Sequence, residues 1–417
     1  MATTSECPPP YVGGHEILAA KNSGWTAGEG LRRLLETMSP LYLSIMFHAI
    51  GAMSAAFCYV PQKSAKRWSW QSFWLTQAAF CWFILPIIGA FLTVPDYWSV
   101  VQSVPTGVLV RTFLLGAAYG IGGTAFGVAI RYVGFSVTYA MAIGISMVFG
   151  TGYAIAKGDT SVADAAAHMQ AFLAKPGALW VVGGMAIGLV GISFCGMAGR
   201  WKERDHAQPS TGASVGGKAA LGIFLCVAAG LLSAVYNMAL EEGAPIAEAA
   251  KLKATGQLVL GIDAATFKSN AIYPFSNAGA FLTTALYCLF LHRKHKTLGE
   301  VVNLPEGTER ASLSVNWTMA ILTGCLWYGQ FFFYGFGHFY IQKVAGFEQT
   351  CWAIHMILLI LLGTLVGIIF KEWANCRQRT YVALAVSIAL LIAGKLVLDY
   401  GNVIGSKSAA AQTQKAQ

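Results

Sequence analysis

The sequence predicts an all-α polytopic membrane protein, with ten transmembrane helices arranged as two inverted five-helix repeats. Of its 417 residues, 56% are hydrophobic and only 11% are charged, whereas a soluble domain carries about 25% charged residues. The charges cluster between apolar runs of about 20 residues, the length that crosses a bilayer as a helix. These runs lack the strand alternation of an outer-membrane barrel. A motif repeated in the two halves of the chain predicts the inverted arrangement.

In chain order, the first 40 residues have no apolar core, so we expect a tail there rather than a signal peptide or a span. Alanine-rich stretches at 161–174 and 245–254 are interpreted as short helices on the membrane surface. Residues 405–417 are expected to form a disordered tail. The ten predicted spans, each bounded by charge, proline or glycine, are 41–60, 73–94, 108–130, 133–156, 179–198, 219–240, 270–291, 316–337, 347–370 and 381–400.

The internal repeat pairs the first span with the sixth and the fourth with the ninth. The matching residues are Gly51, Ser54 and Ala55 with Gly230, Ser233 and Ala234, and Gly134, Phe135 and Thr138 with Gly346, Phe347 and Thr350. The repeats are predicted at 41–198 and 219–404, joined by a loop at 199–218. Because five helices is an odd number, the second repeat lies upside down relative to the first, as in many secondary transporters.

Charge and motif content exclude several classes of function. Lysine and arginine number 15 in the odd-numbered connections and 11 on the other side, which favours both termini outside the cell. The nine cysteines form no CxxC pair and read as small core residues, so no metal or other cofactor is expected. The basic residues flank spans, so no nucleic-acid partner is predicted. Without a phosphate-binding GxxxxGK[ST] motif or an intramembrane acid pair, neither an ATP-driven pump nor an enzyme is predicted.

The eighth span carries an aromatic stripe with polar tips. Trp327, Gln330, Phe331, Tyr334 and His338 follow the i, i+3, i+4, i+7, i+11 spacing of one helix face. A sugar needs such a combination, because its C–H face packs on flat rings while amides and hydroxyls replace the water that its own hydroxyls lose. The alternative is an aromatic helix that simply packs inside the bundle.

Polar residues in three other spans are further candidates. His48 and Tyr59 share a face of the first span, and Asn237 lies in the sixth. Glu348 and His355 lie in the ninth, where a carboxylate in low dielectric and an imidazole can both exchange protons near neutral pH. The alternatives are a satisfied core histidine at position 48 and a carboxylate at position 348 that only stabilises a helix N-terminus.

Five stretches resemble the bacterial L-rhamnose:proton symporter family of the drug/metabolite transporter superfamily. They are FHAIGAMSAAFCYVPQKSAKRWSW (47–70), RYVG (131–134), LWYGQFFFYGFGH (326–338), WAIHM (352–356) and KEW (371–373). The resemblance covers about residues 45–400. It implies ten helices in two inverted repeats, a bacterial inner-membrane location, and uptake of a 6-deoxyhexose with a proton.

The resemblance also assigns matching positions. They are His48, Tyr59, Lys63, Arg131, Asn237, Trp327, Gln330, Tyr334, His338 and His355, with Glu348 in the place of a family aspartate. We hypothesise that Trp327 and Tyr334 stack on the sugar while Gln330 and Asn237 bond its hydroxyls. Glu348, with His355 or His48, would exchange the proton. The alternatives are an exporter or exchanger of another metabolite, and a membrane sugar sensor that does not transport. The sequence predicts no oligomeric state.

Overall fold

The computed structural model describes residues 27–62, 64–158, 164–206, 217–303, 310–344 and 348–416. Within these ranges the chain is almost entirely helical. Its only strands there are Leu258–Val259 (β1) and Ile262–Asp263 (β2), which pair antiparallel. The predicted all-α class is therefore confirmed.

The helices follow the predicted spans, with shorter helices between them. Those of the first half are α1 (Ala27–Thr37), α2 (Pro40–Phe57), α3 (Tyr59–Gln62), α4 (Trp70–Ala78), α5 (Leu85–Thr93), α6 (Tyr97–Ser103), α7 (Thr106–Val133), α8 (Phe135–Lys157), α9 (Ala165–Ala174) and α10 (Ala178–His206), and a π-helical segment, Ala79–Ile84, joins α4 to α5. Those of the second half are α11 (Gly217–Glu242), α12 (Ala244–Lys253), α13 (Tyr273–His295), α14 (Arg310–Ile341), α15 (Cys351–Ile369) and α16 (Gln378–Ala416), with 3₁₀ segments at Ala264–Ala271, Leu298–Val301 and Glu348–Thr350.

In the part of the chain described, nine helical segments are long and apolar enough to cross a membrane. One of them contains α13, which corresponds to the seventh predicted span. Helix α14, at 32 residues, corresponds to the eighth predicted span and is not among these nine segments. The protein is therefore a multi-pass membrane protein. We call the end of the bundle at which α2 begins the upper face, and the end at which α2 ends the lower face.

The RYVG motif separates α7 from α8 at the lower face. Gly134 has φ of 85°, a conformation that favours glycine, and it ends α7. A Cβ at Gly134 would lie 2.2 Å from a Glu203 carboxylate oxygen. That carboxylate instead accepts a hydrogen bond from the Ser136 backbone N–H at 3.1 Å. Glu203, near the end of α10, therefore satisfies a free N–H in the first turn of α8.

Small residues let the central helices approach closely, as is usual inside membranes. A Cβ built at Gly329 of α14 would lie 2.6 Å from Ser54 Oγ of α2, and one at Gly122 of α7 would lie 2.6 Å from the Leu232 side chain of α11. Ser54 also donates to the Leu326 carbonyl at 2.7 Å. Helix α2 accordingly packs on α14 and α15, and α11 packs on α7 and α8.

Three short or terminal segments test the predictions outside the spans. The alanine-rich stretches do form helices, α9 and α12. Helix α1 occupies the end of the predicted amino-terminal tail, whose first 26 residues lie outside the described ranges. The expected disorder at 405–417 is wrong as far as Ala416, because α16 continues to that residue. Alanine, glutamine and lysine are good helix formers, so the sequence there extends the helix beyond its apolar part.

Candidate functional site

A cavity of about 90 Å³ lies at the centre of the bundle. Helices α2, α7, α8, α11, α14 and α15 contribute to its wall, as does α4. Four of these helices, α2, α11, α14 and α15, correspond to the spans that carry the predicted site residues. One bound water needs about 10–15 Å³ of such space, so the cavity has room for several. We call it the central cavity.

Trp327 forms part of the wall of the central cavity and is held by two other indoles. Its ring centroid lies 5.7 Å from that of Trp74 and 5.6 Å from that of Trp82, both edge to face. Edge-to-face contacts are a favourable arrangement of aromatic rings. Packing on two sides fixes the orientation of the Trp327 indole, which gives the cavity a rigid aromatic wall.

Gln330 brings an amide to the same cavity. Its side chain is half-buried. Its backbone is held against α2, because a Cβ at Gly51 would lie only 3.0 Å from the Gln330 carbonyl oxygen. An amide offers two N–H donors and a carbonyl acceptor, which suits a ligand rich in hydroxyl groups. The predicted pair Trp327 and Gln330 therefore shares one cavity.

A layer of rings lies between the central cavity and the upper face. The Tyr334 ring centroid is 5.1 Å from that of His48, 5.2 Å from that of His355 and 5.8 Å from that of Trp352. Trp352 also donates from Nε1 to the Ser146 carbonyl at 3.0 Å. We call His48, Tyr334, Trp352 and His355 the ring layer. All four side chains are buried.

The two histidines of the ring layer are incompletely bonded. His48 Nε2 lies 2.8 Å from Cys351 Sγ, and the two imidazole centroids are 5.5 Å apart. His48 Nδ1 and both ring nitrogens of His355 lack a hydrogen-bond partner among the described residues, although His355 interacts with the His48 backbone. A buried polar atom without a partner costs about 1–3 kcal/mol. A bound water is the natural way to satisfy such nitrogens, and an imidazole is also a group that can take up a proton near neutral pH.

Asn237 and His338 line a separate cavity of about 70 Å³ near the upper face, together with Tyr334. Asn237 Nδ2 donates to the Gly150 carbonyl at 3.0 Å and so ties α11 to α8. The His338 ring stacks on Tyr334 with centroids 6.1 Å apart. We call this space the upper cavity.

The structure therefore divides the predicted sugar-binding residues between two cavities. Trp327 and His338 are eleven residues apart on one helix, which at 1.5 Å per residue is about 16 Å along its axis. A single pyranose ring cannot contact both. The two cavities are separated by the ring layer, to which Tyr334 belongs.

Two predicted site residues have side chains that the structure does not describe. Tyr59 begins α3 and Glu348 begins the 3₁₀ turn before α15, but only their backbones are described. Lys63 lies outside the described ranges, and the Arg131 side chain is also not described. The predictions for these residues stay predictions.

A third cavity opens near the lower face and has a volume of about 450 Å³. Residues from α2, α8, α10 and α15 line it. Lys202 and Glu372 form an ion pair at 3.5 Å on its edge. Trp373 of the KEW motif completes the wall. We call it the lower cavity.

Sequence reasoning missed two features of this region. Cys351 was interpreted as a core residue, yet its sulfur is the partner of His48. Trp74 and Trp82, which hold Trp327, come from the second span, where no polar stripe drew attention to them. The Cys351 contact joins residues 303 positions apart, so no local spacing could have indicated it.

Comparison with known proteins decides the family. A family model described as L-rhamnose-proton symport protein (RhaT) matches residues 38–404. The chain belongs to this family. Two relatives named L-rhamnose-proton symporter, from Yersinia pestis (strain Pestoides F) and Pectobacterium atrosepticum, are each 29% identical to it. These alignments cover 87% and 88% of this chain and 98% and 99% of the relatives. Since the family is one of symporters, the prediction of a transporter rather than an enzyme is confirmed.

Proposed function

We propose that this protein takes up L-rhamnose, or a related 6-deoxyhexose, together with a proton across the bacterial inner membrane. Its family and both relatives carry the name of that activity. The central cavity supports the proposal for this chain in particular. It combines a fixed indole with an amide, directly below two buried imidazoles. Transport occurs by alternating access, in which the cavity opens to one face at a time.

We further propose ten transmembrane helices in two inverted repeats, at the boundaries predicted from the sequence. The helix contacts support this. The repeat relates helices that are five spans apart: α2 to α11, α7 to α14 and α8 to α15. The contact of α2 with α14 then corresponds to that of α11 with α7, and the contact of α2 with α15 corresponds to that of α11 with α8. All four contacts are present. The glycine contacts at Gly329 and Gly122 exchange in the same way.

In this proposal, Trp327 packs on the C–H face of the sugar and Gln330 bonds its hydroxyls. Both line the central cavity. Tyr334, Asn237 and His338 line the upper cavity and contact the sugar when that side opens. Tyr59, which follows α2 directly, completes the set.

The proton is carried by His48 or His355, with Glu348 at the start of α15. Both histidines have ring nitrogens that lack a hydrogen-bond partner among the described residues, which supports this role. Coupling requires that protonation raise the affinity for sugar, because a ligand shifts a conformational equilibrium only through its different affinities for the two states. Tyr334 contacts both imidazoles, so a change in their charge alters the interactions of a residue that lies between the central cavity and the upper cavity.

Purified protein in liposomes tests the function directly. We expect the initial rate of labelled L-rhamnose uptake to rise when an inward proton gradient is imposed, and the rise to vanish with a protonophore. An equal rate with and without the gradient would contradict symport.

Counterflow provides the control. Vesicles loaded with unlabelled rhamnose should take up labelled rhamnose without any gradient, since exchange needs no net proton movement. Binding without counterflow would indicate a sensor instead. Competition by L-fucose and other 6-deoxyhexoses then defines the sugar.

A further inference from the structure

The lower cavity is about five times as large as the central cavity, at about 450 Å³ against about 90 Å³. Its volume lies within the range of about 300–1,000 Å³ that is common for small-molecule sites. Tyr139 of α8 lines both cavities, so the two are neighbours along that helix. A sugar that leaves the central cavity toward the lower face passes through this space.

One aromatic side chain of the lower cavity is held firmly yet keeps a free donor. Trp373 is only 8% exposed. Lys202 Nζ lies 4.6 Å above its ring, and the Tyr381 hydroxyl donates to its carbonyl at 2.7 Å. Its Nε1–H, in contrast, has no hydrogen-bond partner among the described residues. A buried indole N–H usually has one, so this donor is available to a ligand.

The space beside this donor is kept open by a glycine. A Cβ at Gly367 would lie 3.0 Å from Trp373 Nε1, closer than side chains normally pack. Gly367 lines the same cavity. Any larger residue at position 367 would therefore crowd the indole N–H.

The other polar groups of the lower cavity suit a neutral ligand with hydroxyl groups. Ser136 and Thr364 supply hydroxyls, and Gln62 supplies an amide. The charges of Lys202 and Glu372 balance each other at 3.5 Å. A charged ligand would require an excess of one sign, whereas a polyol needs donors, acceptors and an aromatic surface.

We propose that the lower cavity holds a second sugar-binding subsite, centred on Trp373, which the transported sugar occupies on its way out of the protein. The subsite rests on the proposed function, because its ligand is the same neutral sugar. Trp373 donates from Nε1 to a sugar hydroxyl, and Thr364 and Ser136 bond other hydroxyls.

Sided transport assays with Trp373→Phe test the subsite. Phenylalanine keeps the aromatic ring but removes the N–H. We expect the half-saturation constant measured from the lower face to rise about three- to tenfold, the effect of losing one hydrogen bond. The constant measured from the upper face should not change. Right-side-out and inside-out membrane vesicles, at equal pH on both sides, give the two constants.

The matched control is Trp98→Phe, at an indole that is 63% exposed on α6 and lines none of the three cavities. It should leave both constants unchanged. Thr364→Val should repeat the one-sided effect of Trp373→Phe. An equal change from both faces, or no change from either, would overturn the subsite. If the unaltered protein transports no sugar under any gradient, the proposed function itself is contradicted.

Discussion

The two faces of the bundle use corresponding helix pairs in different ways. At the upper face, α8 and α11 are tied together: Asn237 donates to the Gly150 carbonyl at 3.0 Å, and Lys157 lies 3.3 Å from Glu242. At the lower face, the counterpart pair is α2 and α15. There a Cβ at Gly363 would find only Ala56 within 4 Å, at 3.9 Å, among the described residues outside its own helix, and the Phe57 and Phe370 rings meet edge to face with centroids 6.1 Å apart.

This difference indicates that polar contacts between α8 and α11 hold the upper face closed. We call the contacts between α8 and α11 at the upper face the upper junction, and those between α2 and α15 at the lower face the lower junction. Glu242 is the centre of the upper junction, since it also accepts a hydrogen bond from the Tyr153 hydroxyl at 3.1 Å. The Lys157 ammonium donates to the Glu241 carbonyl at 2.7 Å as well. The lower junction instead borders the lower cavity, which at about 450 Å³ is larger than the central and upper cavities. In the proposed cycle, this conformation is open toward the lower face.

The largest expected effect concerns the ring layer, which separates the two faces. His355→Gln should lower gradient-driven rhamnose accumulation more than tenfold, because glutamine keeps hydrogen-bonding capacity but cannot take up a proton. Counterflow should persist, since exchange does not require proton release. Accumulation and counterflow in the same liposomes measure the two effects.

His206→Gln is the control for this prediction. Its ring bonds the Ala374 carbonyl at 2.8 Å near the lower face, away from the ring layer. It should leave both activities within twofold of the unaltered protein. Full accumulation by the His355 variant would remove that histidine from proton coupling and leave His48 and Glu348 as candidates.

A smaller effect is expected at the central cavity, which both faces share. Gln330→Ala should raise the half-saturation constant for rhamnose about tenfold from either face, because one or two hydrogen bonds to the sugar are lost. This symmetric change contrasts with the one-sided change expected for Trp373→Phe. Initial rates in oriented vesicles measure it.

Gln257→Ala is the matched control, at an exposed amide between α12 and β1 that bonds only the Lys253 carbonyl among described residues. A half-saturation constant for the Gln330 variant equal to that of the unaltered protein would remove this residue from the sugar site.

Weakening the upper junction should shift the conformational equilibrium toward a state that is open at the upper face and closed at the lower face. Glu242→Gln removes its ion pair with Lys157 while keeping the shape of the side chain. A partly exposed pair is worth about 1 kcal/mol, or about a fivefold shift between two states. Maleimide labelling of Cys195, in the lower cavity, should slow by up to fivefold as that cavity closes. Labelling of Cys351, which is buried at the start of α15 and contacts His48 of the ring layer, should become faster.

The exposed pair of Arg32 and Glu36 on α1 gives the control. Glu36→Gln removes an ion pair that involves no residue of either junction and should leave both labelling rates unchanged. Faster labelling of Cys195 in the Glu242 variant would mean that the upper junction does not hold this conformation.

Nine of the ten predicted spans correspond to helical segments of the described chain that are long and apolar enough to cross a membrane, because apolar length is visible in the sequence. Its candidate residues also lie on four of the helices that line the central cavity, namely α2, α11, α14 and α15. The sequence could not predict that Asn237 bonds a backbone carbonyl of α8, because the Gly150 partner is 87 residues away and is not a side chain. Helical periodicity correctly places Trp327 and His338 on one face of α14. It describes only the direction in which side chains point, so it does not show that their separation along the helix axis puts them in different cavities.

The lower cavity was missed for a related reason. The KEW motif contributes only to the resemblance, and Lys371 is one of the basic residues that flank spans. The neighbouring Trp373 ring packs against the ammonium group of Lys202 in α10, which is 171 residues earlier in the chain. Such a contact depends on how α10 and α15 pack, which no local pattern encodes.

The smallest expected effect concerns Arg111, the other cation near Glu242. Its guanidinium lies 3.8 Å from the Glu242 carboxylate, and its side chain is 63% exposed, against 17% for Lys157. Exposed ion pairs contribute little because water and salt screen them. Arg111→Gln should therefore change the Cys195 labelling rate less than twofold, whereas Lys157→Gln should approach the effect of Glu242→Gln. If the two cations prove equivalent, burial does not set the strength of the upper junction, and net charge at that face explains it instead.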